Sequence, residues 1–285
     1  MSRANDLFRF MSERHSIYLR RAAGELRPWT TDAILRRYRF CNVYRELDTV
    51  TRWIRINIRE PYCDHKNLWF MLCIARQINW PPTLQALMDG GAWPTGNRWN
   101  CMQARGILLD RHRRGEKIYT SAYMLTARPR LGEPRDKAYY TCVHALGSVW
   151  AARAEFPRTI RENTLQTAAR WFYPFPGWGA FLAYEVVTDL RHTDYLYNAT
   201  DIDTWASAGP GALRGLNRVH NRALTYRLSA TMANEEIQKL LYLSRKMWIY
   251  DKLEMRDIEH SLCEFDKYER VRTGTGKPKS TYEGE

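Results

Sequence analysis

The chain has 285 residues, 45% hydrophobic and 13% aromatic, so it is long enough to bury one large core or two modest ones. Its 44 Lys and Arg residues outnumber its 31 Asp and Glu residues, and the resulting formal charge of +13 favours partners that carry phosphate. The longest apolar run, residues 68–75, is too short to span a bilayer, and residues 1–6 lack a signal-peptide apolar region, so we expect no membrane partner.

The first predicted helix begins at residues 30–32, after Pro28, and carries Ile34, Tyr38 and Cys41 on one face. A second, buried helix covers residues 68–78 and ends before Pro81. Residues 117–126 are the best short strand candidate. Residues 126–137 contain the turn-forming residues of a loop.

Three further helices are predicted in the second half. One begins at Asn163 and Thr164 and ends before Pro174, one follows the Pro-Gly-x-Gly turn as far as Leu190, and one is capped by Asn234. Residues 272–285 are rich in Gly, Thr, Lys and Ser and are predicted to be disordered. The sequence therefore predicts an all-α, monomeric catalytic unit over residues 1–271, with lobes at 1–130 and 131–271.

The six cysteines are scattered and include no Cys-x-x-Cys pair, which is typical of reduced core residues in a cytosolic protein. Cys63 and His65 form a local Cys/His pair, and they have no further residues at ligand spacing. We therefore predict neither a metal site nor a cofactor.

The run Pro176-Gly177-Trp178-Gly179 precedes an apolar helix and places backbone N–H groups at a turn that a phosphate can approach closely. About two dozen residues later comes Asp203, followed by Thr204. Hairpin, helix and acidic residue in this order resemble helix-hairpin-helix DNA glycosylases, which hold a duplex by its backbone and act on an extruded base. The alternative is that Asp203 caps a helix that follows it.

The residues Asn42, Arg45, Asp48 and Arg52 are spaced by three or four, which would place them on one helix face. Such a polar stripe suits a binding site. A solvated, salt-bridged helix face is the alternative.

The segment from Trp205 to Arg218 combines Gly209 and Gly211 with Arg214, which lies one helical turn before Arg218. This composition suits an anion cradle for phosphate or pyrophosphate. A plain loop between helices is the alternative.

The residues Asp257, His260 and Glu264 would lie on one side of a helix, so a carboxylate could orient the imidazole from either direction. An exposed, charge-paired helix end is the alternative.

Together these blocks resemble the phage family of α-glutamyl/putrescinyl thymine pyrophosphorylases, the amino acid:DNA transferases of thymidine hypermodification. The matching residues are 28–30, 38–45, 176–179, 189–191, 209–217 and 257–268, which span nearly the whole chain. A related helical domain occurs in 5-hydroxymethyluracil DNA kinases. No Gly-x-x-x-x-Gly-Lys-Ser/Thr run is present, which counts against the kinase role.

The resemblance implies an enzyme that replaces the pyrophosphate of 5-(pyrophosphoryloxymethyl)uracil in double-stranded phage DNA with a free amino acid or amine, glycine being favoured, in the cytoplasm of the infected bacterial host. Glycosylases that are also lyases carry a Lys in the helix after the hairpin, where this chain has Tyr184 and Glu185, so Schiff-base strand cleavage is not expected. A glycosylase-like base-excision enzyme, a non-catalytic DNA-binding module and a kinase-associated helical domain remain alternatives.

The candidate residues fall into three groups. The catalytic candidates are Asp189, Asp203, His260 and Glu264; the substrate-binding candidates are Arg39, Asn42, Arg45, Arg191, Arg214 and Arg218; and the DNA-backbone candidates are Gly177, Gly179, Gly209 and Gly211.

Overall fold

A computed structural model describes residues 3–120, 132–278 and 280–282 of the chain. Within these ranges the regular secondary structure is helical, apart from an isolated antiparallel bridge between Tyr38 and Thr281, so the all-α prediction is confirmed. The α-helices are α1 Ala4–Ala22, α2 Ala33–Arg37, α3 Thr49–Ile54, α4 Leu68–Ile78, α5 Pro81–Asp89, α6 Cys101–Arg113, α7 Lys137–Tyr139, α8 Leu146–Ala151, α9 Phe156–Thr159, α10 Leu165–Phe172, α11 Ala180–Leu190, α12 Pro210–Val219, α13 Ala230–Met247 and α14 Met255–Arg272. Short 3₁₀ turns cover Arg45–Leu47 and Ile160–Glu162, and π-helical turns cover Arg55–Arg59 and Tyr140–Ala145. None of these described helices is both long and apolar enough to cross a bilayer.

The chain divides into two compact units. The terminal unit comprises the described residues up to Asp48 and from Asp201 onward, and the central unit comprises Thr49–Thr200. These boundaries differ from the predicted lobes, whose border near residue 130 lies outside the described residues. The reason is that α1 and α14 pack together from opposite ends of the chain, a pairing about which helical periodicity carries no information.

In the terminal unit, α14 packs against α12, α1 and α13. The contact with α12 is unusually close because two glycines leave room for it. A Cβ on Gly211 would lie 2.5 Å from Cys263 Sγ, and one on Gly215 would collide with the carbonyl of Leu262. A side chain at either position would push the two helices apart.

In the central unit, α4 is buried along its whole length and packs against α11, which in turn packs against α10. The predictions for all three helices are confirmed. Thr164 caps α10 by accepting a hydrogen bond from the Thr167 N–H, and α4 ends at Asn79 in the left-handed conformation, with φ of 50°. Pro81 then begins α5 rather than only ending α4.

The predicted helix through Cys41 is wrong beyond residue 37. Asp32 caps α2 as expected, but the chain is extended at Tyr38, where it pairs with Thr281. The Arg39 N–H donates to the carbonyl of Ser280, so backbone pairing with a distant segment replaces local helix formation. The tail predicted to be disordered is therefore ordered at residues 280–282.

Two other predictions need correction. The last-but-one helix begins at Ala230 with Ser229 as its cap, while Asn234 lies inside it and its Oδ1 accepts the Ala206 N–H at 2.7 Å. Residues 117–120 do not form the predicted strand, and the rest of that candidate, together with most of the loop predicted at 126–137, lies outside the described residues.

Candidate functional site

A group of reactive side chains gathers in the terminal unit where residues 39–48 meet α14. A sulfur, nitrogen or oxygen atom from each of Cys41, His260 and Glu264 lies within 4.8 Å of the other two. Cys41 and His260 are partly exposed, whereas Glu264 is buried. We refer to these three residues with Asp48 as the Cys41 cluster.

The loop from residue 41 to residue 48 is held in place by the Asp48 carboxylate. Its Oδ1 accepts the Asn42 N–H at 2.9 Å, and its Oδ2 accepts from Arg45 Nη1 at 2.9 Å. The predicted grouping of these three residues is therefore correct, but a loop produces it rather than a helix face. The fourth member of the predicted stripe, Arg52, lies on α3 in the central unit and is exposed.

On the α14 side, His260 Nε2 lies 3.9 Å from Asp48 Oδ2. Asp257 was expected to orient the imidazole, but its carboxylate instead accepts the N–H groups of Glu254, in a capping box, and of Arg45. Burial outweighs these hydrogen bonds and raises the pKa of Asp257 to about 7. Asp48, and not Asp257, is therefore the carboxylate that faces His260, at a distance longer than a hydrogen bond. The alternative of an exposed helix end is wrong because Asp257 and Glu264 are buried.

Cations surround the cluster. The Glu264 carboxylate pairs with Lys267 and also accepts the Cys41 N–H at 3.3 Å. The Arg14 guanidinium is buried, and its Nη2 donates to Ser261 Oγ at 2.9 Å and to the Asn42 carbonyl at 3.4 Å. Its Nε and Nη1 have no hydrogen-bond partner among the described residues.

These surroundings determine the electrostatics of the cluster. Burial lowers the pKa of Arg14 and raises the pKa of the Cys41 thiol well above its usual value. Glu264 opposes the effect of burial and raises the pKa of Lys267. Asp48 pairs with Arg45 and Glu264 pairs with Lys267, whereas the buried Arg14 guanidinium forms no ion pair with a described carboxylate, so the site suits an anionic ligand.

The Cys41, His260 and Glu264 donors are of the kinds that bind zinc. The Lys267 ammonium, however, already binds the Glu264 carboxylate and would repel a divalent ion. The Cys63 and His65 pair lies elsewhere, with both His65 ring nitrogens engaged by the Asn67 N–H and the Thr95 carbonyl. That no metal is bound remains a prediction.

Asp203 lies at the surface of the terminal unit. Its Oδ2 is 2.8 Å from Lys252 Nζ and 3.3 Å from Arg245 Nη2, and its side chain lines a cavity of about 510 Å³ along α13. Residues 205–209 have no regular structure and α12 begins at Pro210, so the alternative that Asp203 caps a following helix is wrong. Its catalytic role remains a prediction.

In the segment predicted as an anion cradle, the Gly209 N–H and the two arginines face carboxylates of α14. The Gly209 N–H at the start of α12 faces the Glu259 carboxylate, with N and Oε1 3.5 Å apart, and Gly211 serves helix packing. The guanidinium Nε atoms of Arg214 and Arg218 lie 2.9 and 2.8 Å from the buried Asp266 carboxylate. Arg270 approaches the same carboxylate at 3.5 Å, so three guanidinium groups share one counter-charge.

In the central unit, residues 173–179 connect α10 to α11. Gly177 has φ of 76°, and a Cβ there would lie 2.9 Å from the Ala145 side chain. Gly179 precedes α11 as its N-cap residue and makes no side-chain cap, and no described atom lies within 4 Å of the position its Cβ would take. A side chain at Gly179 would therefore meet open space, whereas Gly177 is required by the turn itself.

The remaining candidates have structural partners. Asp189 is buried and receives two hydrogen bonds from the fully buried Arg76, at 2.5 and 2.6 Å. Arg191 Nη1 donates to the Tyr197 carbonyl at 3.0 Å, and Arg39 stacks on the Tyr282 ring at 5.2 Å. The two hydrogen bonds from Arg76 give Asp189 a structural role in the core, which explains this residue without a catalytic role.

Sequence reasoning placed Asp48 in the predicted polar stripe but did not assign Cys41, Lys267 or Arg14 to the site. Cys41 stands inside a block that the sequence singled out, and Lys267 follows Glu264 at helical spacing, so a signal existed for these two. No signal marks Arg14, because an arginine on an amphipathic helix normally faces solvent.

Comparison with known proteins shows which family the chain resembles. A family model described as the helical domain of 5-hmdU DNA kinase matches residues 2–277. The 5-hmdU DNA kinase of Bacillus phage SP10 is 26% identical over 279 residues, and the alignment covers 90% of this chain but 43% of that kinase. No solved structure matches the chain.

Proposed function

Because the chain belongs to the family of 5-hmdU DNA kinase helical domains, we propose that it acts on phage DNA that carries 5-hydroxymethyluracil. We infer that it is an amino acid:DNA transferase of thymidine hypermodification, which replaces the pyrophosphate of 5-(pyrophosphoryloxymethyl)uracil with an amine. The chain spans less than half of the kinase relative, so the activity of that whole protein is not carried over to it.

The Cys41 cluster is the observation that carries this proposal. It combines a histidine beside a carboxylate, His260 and Asp48, with three cations in a partly buried setting. An imidazole oriented by a carboxylate can accept a proton at neutral pH. Guanidinium and ammonium groups can neutralise the charge of a departing pyrophosphate.

The reaction uses both features. The amine nitrogen forms a bond to the methylene carbon on C5 of the uracil, the bond from that carbon to the pyrophosphate oxygen breaks, and pyrophosphate leaves with the bonding electrons. The nitrogen also loses a proton in the overall reaction, and His260 is the base of the site. Arg14, Arg45 and Lys267 lower the barrier by stabilising the negative charge of the leaving group.

Double-stranded DNA is the proposed partner because phosphate contacts dominate the affinity of basic proteins for a duplex. The formal charge of +13 supports this partner, and the N-terminus of α11 at Gly179 is the proposed phosphate contact. Backbone contacts of this kind position a duplex without reading its sequence.

A second candidate function follows from the family description itself. As the helical domain of a kinase, the fold could recognise 5-hmdU DNA for a partner enzyme and carry out no chemistry. This candidate predicts DNA binding with no change to the nucleosides.

The test is nucleoside mass spectrometry after the protein is incubated with pyrophosphorylated 5-hydroxymethyluracil DNA and a panel of amino acids and amines. The expected result is an amine-substituted thymidine and free pyrophosphate. His260→Gln should lower turnover by roughly 10²-fold or more, while the matched control His112→Gln, which changes an exposed histidine of α6, should retain it.

Three outcomes would contradict the proposal. Release of a free base would indicate a glycosylase, tight binding without product would indicate the recognition module, and equal modification of DNA that lacks the pyrophosphate would exclude the displacement.

A further inference from the structure

We propose that Cys41 is a covalent nucleophile that adds to C6 of the target pyrimidine. The inference rests on the proposed function, and it identifies how the site makes pyrophosphate leave. In this mechanism the attack of a cysteine, and not that of the incoming amine, makes pyrophosphate leave.

The geometry of a nucleophile, a base and an orienting carboxylate supports this role. The Cys41 sulfur lies within 4.8 Å of a His260 ring nitrogen, and His260 in turn lies 3.9 Å from Asp48. A neighbouring histidine is one of the bases that activate cysteine nucleophiles, once the two side chains come within hydrogen-bond distance. Cys41 and His260 are residues of intermediate exposure, which places the pair at the edge of the core rather than inside it.

Arg14 provides an independent observation that points to a ligand. Its side chain is 96% buried (4% exposed), and two of its nitrogens, Nε and Nη1, have no partner in the described part of the chain. Its remaining contacts, to Ser261 and to the Asn42 carbonyl, place it directly beside the residues that follow His260 and Cys41. Buried donors without acceptors are costly, and an oxyanion of the substrate would satisfy them.

His260 takes the thiol proton as the Cys41 sulfur bonds to C6, and the C5–C6 double-bond electrons move to form an enolate at C4 and O4. The enolate re-forms its carbonyl and expels pyrophosphate, which leaves an exocyclic methylene on C5. The amine adds to this methylene and loses a proton to solvent. The enolate that forms then expels the Cys41 thiolate and restores the C5–C6 double bond, and the thiolate recovers its proton from His260.

Addition at C6 is favoured over direct attack of the thiol on the methylene carbon. Direct attack would produce an alkyl thioether, from which an amine displaces a thiolate poorly. Addition at C6 instead uses the negative charge of the enolate, which the spare donors of Arg14 stabilise, to expel the better leaving group. Because burial keeps the Cys41 thiol protonated at rest, the transfer of its proton to His260 must accompany attack.

The first experiment needs neither pyrophosphate nor amine. Addition to C6 of an ordinary uracil creates an enolate that takes up deuterium at C5, so the protein should exchange H5 of deoxyuridine in duplex DNA incubated in D₂O. Nucleoside mass spectrometry would measure the exchange. Cys41→Ser should lower its rate by ~100-fold or more, and His260→Gln should shift its pH profile. Cys63→Ser, at an exposed cysteine of the central unit, is the matched control and should leave it unchanged.

A second measurement uses pyrophosphorylated DNA without an amine. Intact-mass analysis should detect a protein–DNA adduct that has lost pyrophosphate, in the unmodified protein and in Cys63→Ser but not in Cys41→Ser. Thermal melting would show that Cys41→Ser is folded.

The outcomes separate the two proposals. Exchange that depends on Cys41 without any amine transfer would support the nucleophile and refute the transferase. Amine transfer with no exchange and no adduct, or exchange that persists in Cys41→Ser, would overturn the role of Cys41. Absence of both activities would refute both.

Discussion

Replacing Asp189 with Asn tests whether this residue is catalytic or structural. The Asp189 carboxylate accepts hydrogen bonds at 2.5 and 2.6 Å from Arg76, whose side chain is fully buried between α4 and α11. The amide of Asn cannot neutralise the guanidinium, so a charge would remain in the core without its nearest partner. Removing one member of a buried ion pair typically costs about 3–5 kcal/mol.

A second carboxylate near Arg76 reduces the loss of folding stability expected for Asp189→Asn. Glu185 lies 3.8 Å from Arg76 and would compensate part of the charge, so we expect about 3 kcal/mol. With a urea dependence of about 2 kcal/mol per molar, the unfolding midpoint, followed by tryptophan fluorescence, should fall by about 1.5 M. Asp194→Asn, at an exposed aspartate, is the control and should leave the midpoint unchanged.

The double replacement Arg76→Met with Asp189→Leu should be less harmful than Asp189→Asn alone, because apolar side chains leave no buried charge. A variant Asp189→Asn that kept its unfolding midpoint but lost turnover would refute this reasoning and restore a catalytic role for Asp189.

Three further predictions concern other regions. Burial acts to raise the pKa of Glu269, but hydrogen bonds from arginines lower it from 4.5 to about 2. The ionised Glu269 therefore contributes stability above pH 4.5, and this contribution is lost as the pH falls through about 2. Glu269→Gln should lower the melting temperature at neutral pH and have no effect near pH 2. Asp203→Asn should fold normally, and its turnover decides its role, since a loss of about 10²-fold indicates catalysis and near-normal turnover indicates a surface ion pair. Gly179→Val should weaken binding to all DNA sequences alike in a stable protein, whereas Gly177→Val should destabilise the fold, and equal melting temperatures for these two variants would contradict the assignment.

The parts of the fold that could be predicted from sequence are those fixed by local patterns. The helices α4, α10 and α11 have apolar residues at helical spacing, and α4 and α10 also have a cap or a proline near an end. The early end of α2 could not be predicted, because it depends on pairing between Tyr38 and Thr281, which are far apart in the sequence. Local propensity gives way to such tertiary contacts.

The candidate site shows the same division. His260 and Glu264 were found because a spacing of four brings side chains together on a helix. The spacing predicts correctly that Asn42 and Arg45 lie near Asp48, but it places them on a helix. In the structure a loop brings the same three residues together. Arg14 contributes from α1 at the other end of the chain, and only the packed structure shows that its guanidinium is buried beside Cys41.

The discontinuous terminal unit has a consequence for synthesis on the ribosome. The central unit is complete once Thr200 has emerged, but α1 still lacks α14, whose Glu269 pairs with Arg3 across 266 positions. At translation rates of roughly 5–20 residues per second, synthesis from Thr200 to the end of α14 at Arg272, 272 minus 200 or 72 residues, takes about 4–14 s. During that interval the apolar face of α1, with Leu7 and Met11, has no partner on α14, so a helix that is made before the whole central unit is buried only after that unit is complete.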